Sequence, residues 1–162
     1  MDKYVGTWIW EENGNKLTVV LQKSLMHNMY DRYQADILVG NYKYEENGAL
    51  IVDTMTNPMP NPNLIEDIYY LRLSGYFRSP TLMSTYGNFR DPVQSQYAGY
   101  DLRCLYIEPL LVDIGSTQTM EPIKMRWVII ATGYNRSSID EVIDTTRPFM
   151  PRVPNDVNLV KQ

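Results

Sequence analysis

A chain of 162 residues with 44% apolar residues and a net charge of only −4 supports one well-buried core and excludes intrinsic disorder. Its 15 basic residues are spread along the chain without a cluster, which excludes an electrostatic footprint for nucleic acid or for an anionic membrane surface. No apolar run approaches the ~20 residues of a membrane-spanning helix, and the single cysteine, Cys104, leaves the redox compartment open.

The residue stock is that of a β protein. Val, Ile, Thr, Tyr, Phe and Trp make up 54 of the residues, against four Ala, so strand formers far outweigh the best helix former. Asn, Gly and Pro add 31 residues of turn chemistry.

In chain order, Thr7-Trp8-Ile9-Trp10 leads through Asn13-Gly14 into Leu17-Thr18-Val19-Val20-Leu21. Asn-Gly is the favoured pair for a type I′ turn, because both central residues need positive φ. The device returns at Asn47-Gly48, between a strand over Ile37 to Tyr44 and another over Ala49 to Val52. The prolines Pro58, Pro60 and Pro62 remove backbone donors and predict an extended surface connection. Further strands are predicted over Ile68 to Leu73, Leu82 to Tyr86, Leu102 to Leu111 and Lys124 to Ala131, with turn residues at Gly87-Asn88 and Asp91-Pro92. Ser138-Ile139-Asp140-Glu141 fits a capping box, which predicts one short helix over 138–144. Pro148, Pro151 and Pro154 keep the chain extended before a closing strand over Val157 to Lys161. The expected architecture is a single all-β domain over 1–162. It is an antiparallel meander of eight or nine strands closing into a barrel, which removes the unpaired edges of such a set.

Alternation predicts the inward faces. Lys124 and Arg126 send Met125, Trp127 and Ile129 inward, and Arg72 does the same for Tyr69, Leu71 and Leu73. Lys16, Thr18 and Gln22 oppose Leu17, Val19 and Leu21. In the Leu102 to Leu111 strand, Arg103 sends Cys104 and Tyr106 inward, yet Glu108 shares their parity. If the barrel is hollow, its lining is Leu38, Tyr42, Tyr69, Leu73, Tyr106, Met125 and Trp127.

Gly6-Thr7-Trp8 resembles the G-x-W opening of lipocalin-like (calycin) barrels, where glycine lets the chain bend and tryptophan plugs the narrow base. That resemblance implies structural roles for Gly6 and Trp8. The succession from Tyr4 to Trp10, Leu17 to Lys23, Gly40 to Tyr44 with Asn47-Gly48, and the ending Val153 to Gln162 resembles a family of uncharacterised bacterial lipocalin-like domains. Those domains usually follow a lipoprotein or secretion signal and have no assigned activity. The resemblance therefore implies a fold and gives no catalytic residue. No secretory segment follows Met1, so the expectation is a secreted or lipid-anchored protein where such a segment has been removed, and a cytoplasmic one otherwise.

Chemistry has few carriers. His27 is the only histidine and reads as a strand-end or loop residue; Cys104 has no activating partner and reads as a small buried hydrophobe. One Cys and one His fall short of a zinc site. Asp140, Glu141 and Asp144 read as a solvated helix face rather than a calcium loop. Asp36 and Glu108 would make a glycosidase pair only if they met across the barrel, and Asn135-Arg136-Ser137 matches a common glycosylation sequon. No metal, cofactor or catalytic residue is expected. Thirteen Tyr and three Trp against three Phe suit ligand cavities and protein interfaces alike. The leading expectation is a non-enzymatic domain holding a small apolar or amphipathic ligand in the barrel mouth. The alternative is a protein-interaction module or structural subunit with a filled barrel, contacting partners through the proline-rich arms and surface tyrosines. A barrel enzyme is the weakest reading. A cavity above ~300 Å³ favours the first, and a solid core the second.

Overall fold

Asn13 and Gly14 both take positive φ, 51° and 79°, the values a type I′ turn requires. That turn joins β1 (Gly6–Glu12) to β2 (Asn15–Met29), with Trp8 opposite Val19 and Trp10 opposite Leu17. Asn47 and Gly48 repeat it at 50° and 78°, between β3 (Tyr33–Glu46) and β4 (Ala49–Asp53). The computed structural model describes residues 2–29, 33–57, 70–75, 85–92, 103–110, 124–131 and 152–162.

The remaining described strands are β5 (Leu71–Gly75), β6 (Thr85–Phe89), β7 (Arg103–Leu110), β8 (Lys124–Ala131) and β9 (Asp156–Lys161). Their order is β2-β1-β9-β8-β7-β6-β5-β3-β4, with a further pairing of β2 to β3. Neighbours pair antiparallel throughout. The result is an all-β sheet curled into a half-barrel. Among the described residues the only helical piece is a 3₁₀ turn over Asp2–Tyr4, and no helix is long and apolar enough to cross a membrane. The helix expected over 138–144 and the prolines Pro58, Pro60, Pro62, Pro148 and Pro151 lie outside the described residues.

One strand differs from expectation. Gly87 and Asn88 pair with Leu73 and Arg72 inside β6 instead of turning the chain, so the strand runs on to Phe89. Glycine and asparagine disfavour strands only weakly, and ladder bonds on both edges of β6 override that preference.

The core lies along the inner parity of the sheet. Leu17, Val19 and Leu21 of β2, Leu38 and Tyr42 of β3, Leu71 and Leu73 of β5, Met125 and Trp127 of β8, and Leu159 of β9 have no exposed surface. The opposite parity carries Lys124 and Arg126, both exposed. Strand β3 departs from strict alternation because Ile37, Val39 and Asn41 are buried as well. Its continuous apolar run Ile37-Leu38-Val39 is the sequence mark of a strand covered on both faces.

Burial pushes the Tyr4 hydroxyl up to about 12 from its usual 10.0. The unfolded chain ionises this tyrosine first, so its share of stability is complete below pH ~10 and is lost as pH rises toward 12. Tyr4→Phe is therefore expected to flatten the alkaline decline of the urea midpoint. An unchanged alkaline profile in that variant would contradict the burial of Tyr4.

Candidate functional site

Trp8 has no exposed surface, and its indole N–H donates to the Tyr4 carbonyl at 2.8 Å. The Lys161 ammonium stands 5.6 Å from the ring centroid, so the first and last strands meet over this tryptophan through a cation–π contact. Gly6, which opens β1, has φ of 130°, and a side chain there would press on Lys161 Cε at 3.2 Å.

Five of the residues expected to line a cavity, Leu38, Tyr42, Leu73, Met125 and Trp127, come together in one apolar cluster, each with 0% exposure. A side chain bordering a water-sized space would carry accessible surface; these carry none. Tyr69 lies outside the described residues. Tyr106 belongs to β7, but the register sets it opposite Val128, whereas Ile107 stands opposite Trp127 and Leu105 opposite Ile129.

An aromatic group forms inside the curl. Phe89 lies 4.9 Å from Tyr42 between ring centroids and meets Trp127 edge-on at 6.0 Å. Each polar tip is satisfied by backbone: the Tyr42 hydroxyl donates to the Arg90 carbonyl at 2.9 Å, and the Trp127 indole to the Pro154 carbonyl at 3.1 Å. Thr54 braces Tyr42 from the other strand edge, accepting from its N–H at 2.8 Å and donating to its carbonyl at 2.9 Å.

Beside this group, Arg152 makes a fork-to-fork pair with Asp91, at 2.9 Å from Nε and 2.6 Å from Nη2, and Nη1 donates to the Ile51 carbonyl at 3.3 Å. The Asp91 side chain is 1% exposed. Hydrogen bonding to that carboxylate pushes the Arg152 guanidinium up from its usual value. Sequence reasoning missed Asp91, Arg152 and Phe89. Asp91 precedes a proline and reads as a turn residue, and the partners are 61 residues apart, beyond any local pattern.

One protein family matches the chain, over residues 1–162. The chain belongs to DUF6705, a family of unknown function. Comparisons with curated proteins and with solved structures return no match.

The other residues singled out in this DUF6705 member are scattered. His27 lies in β2 opposite Ala35, two residues before the strand ends, rather than in a loop. Asp36 is ion-paired with Lys23 at 3.3 Å, while Glu108 stands in β7 opposite Arg126. Cys104 stands opposite Ile130. Asn135, Asp140, Glu141 and Asp144 lie outside the described residues. Among the described residues, no three His, Cys, Asp or Glu side chains gather in metal-binding range.

Proposed function

We infer that this chain is a non-enzymatic, lipocalin-like β-barrel domain with a filled interior, acting as a protein-interaction module or structural subunit. The observation that carries the reading is the complete burial of Leu38, Tyr42, Leu73, Met125 and Trp127 in one cluster. Complete burial of the residues best placed to line a ligand cavity supports an interior filled by side chains. Barrel closure is supported by the ladders, which lead from β1 through β2, β3, β5, β6, β7, β8 and β9 back to β1. Closure leaves β4 as an appendage on the far part of β3. With one histidine and one cysteine in the sequence, a nucleophile–base pair has few possible members, which supports a binding role over a catalytic one. The proline-rich segments of the sequence are the partner-facing part of this reading; Tyr4, Tyr42 and Tyr44, which are buried, and Tyr70, which is half-buried, are not.

A screen of fatty acids, porphyrins and flavins followed by tryptophan emission tests it. A filled interior leaves the emission unmoved at every ligand. A saturable shift that disappears in Trp127→Phe would establish an internal ligand site and replace the interaction reading.

A further inference from the structure

We propose that residues Arg152–Asn155 form a strap, closed over the aromatic group of Tyr42, Phe89 and Trp127, that opens as a unit while the sheet stays folded. Four observations carry this. The strap lies just before the β9 ladder, which starts at Asp156, so lifting it leaves that register intact and breaks a single backbone bond to β8, from the Ile129 N–H to the Asn155 carbonyl. Its hold on the sheet is mostly polar and comes from separate strands. Arg152 grips Asp91 beyond β6 and the Ile51 carbonyl of β4, the Pro154 carbonyl accepts from Trp127 of β8, and the Asn155 carbonyl accepts from the Ile129 N–H at 2.8 Å. Only Val153, 4% exposed, is a buried apolar anchor, while Pro154 is half-buried and Asn155 exposed. Behind its Pro154 carbonyl lies Trp127, 0% exposed, with Phe89 edge-on to that ring at 6.0 Å and 1% exposed, in one apolar cluster with Val153.

A segment held by a few polar contacts and one side chain opens at a lower free energy than a sheet held by continuous ladders. The Arg152–Asp91 pair sets that opening. Its carboxylate is buried, so removing Arg152 strips two charged hydrogen bonds from a group held out of water, and removing the Asp91 charge strips the guanidinium of its fork; either change shifts the strap toward the open state. The strap requires no partner protein, and its test is independent of the interaction reading above.

Hydrogen exchange of the tryptophan indole N–H groups reads the device directly, because Trp127 is bonded to the strap, whereas Trp8 of β1, without exposed surface, is bonded to the Tyr4 carbonyl of the N-terminal turn, away from the strap. In the unmodified protein, the Trp127 indole is expected to exchange faster than that of Trp8, at a rate insensitive to low urea, as for an opening that exposes little surface. Asp91→Asn and Arg152→Gln are each expected to accelerate the Trp127 indole about tenfold or more, leave Trp8 unchanged, and admit the apolar dye anilinonaphthalene sulfonate. Arg126→Gln, which breaks the neighbouring exposed pair with Asp156, changes neither readout. Equal acceleration of both indoles would overturn the proposal, since the pair would then hold the whole fold. So would an unmoved Trp127 indole in both variants, or urea-sensitive exchange at Trp127 matching that of Trp8 in the unmodified protein.

Discussion

Trp8→Ala is expected to lower stability by about 3–5 kcal/mol, the range for removing a large buried aromatic side chain. For a chain of this length that corresponds to a fall in melting temperature on the order of 10 °C. Trp8 is without exposed surface, bonds the Tyr4 carbonyl, and is covered by Lys161. Its loss therefore loosens the N-terminal turn, β1 and β9 together. Trp8→Phe keeps most of the ring volume and forfeits the indole hydrogen bond, so a loss of only about 1 kcal/mol is expected. Thermal denaturation of the two variants checks the ordering. A small effect of Trp8→Ala would contradict a plugging role for this tryptophan.

The second large effect is expected at Gly40. A Cβ there would stand 2.4 Å from the Val20 carbonyl oxygen, 2.8 Å from Leu21 Cδ2 and 3.3 Å from Leu71 Cδ1. Gly40 pairs with Leu21 on one side and Leu71 on the other, so neither neighbour can withdraw without disturbing a ladder. Backbone is the nearest obstacle, and Gly40→Ala should cost at least about 1–3 kcal/mol, as for other overpacked sites. Gly48→Ala is the contrast. At φ of 78° with nothing within 4 Å of the added carbon, it meets backbone strain alone, about 1 kcal/mol. Urea midpoints for the pair should place Gly40→Ala clearly below Gly48→Ala. Equal midpoints would contradict the close approach of β2, β3 and β5 at Gly40.

The hairpins were legible because Asn13-Gly14 and Asn47-Gly48 carry their turn geometry locally, in residues that tolerate positive φ. The inner face of β8 was legible for a similar reason: Lys124 and Arg126 need water, and alternation sends Met125, Trp127 and Ile129 the other way. The sequence alone ends this strand at Tyr86 because Gly87 and Asn88 look like a turn in isolation, and only the ladders with β5 and β7 keep β6 extended to Phe89. The Asp91–Arg152 pair was invisible for want of any local pattern linking turn to tail. What alternation could not distinguish is an inward residue that lines a cavity from one that fills it. That difference depends on how side chains from opposite strands interdigitate, as Phe89 does between Tyr42 and Trp127.

Whether the interior is filled is the central claim, and native mass spectrometry of the protein purified from its own source tests it most directly. The expected spectrum shows the chain without a retained small molecule, in an assembly with a protein partner or with further copies of itself. A stoichiometric small molecule that survives purification and leaves only on unfolding would contradict the account, and would return Leu38, Tyr42, Leu73, Met125 and Trp127 to the lining of a ligand site.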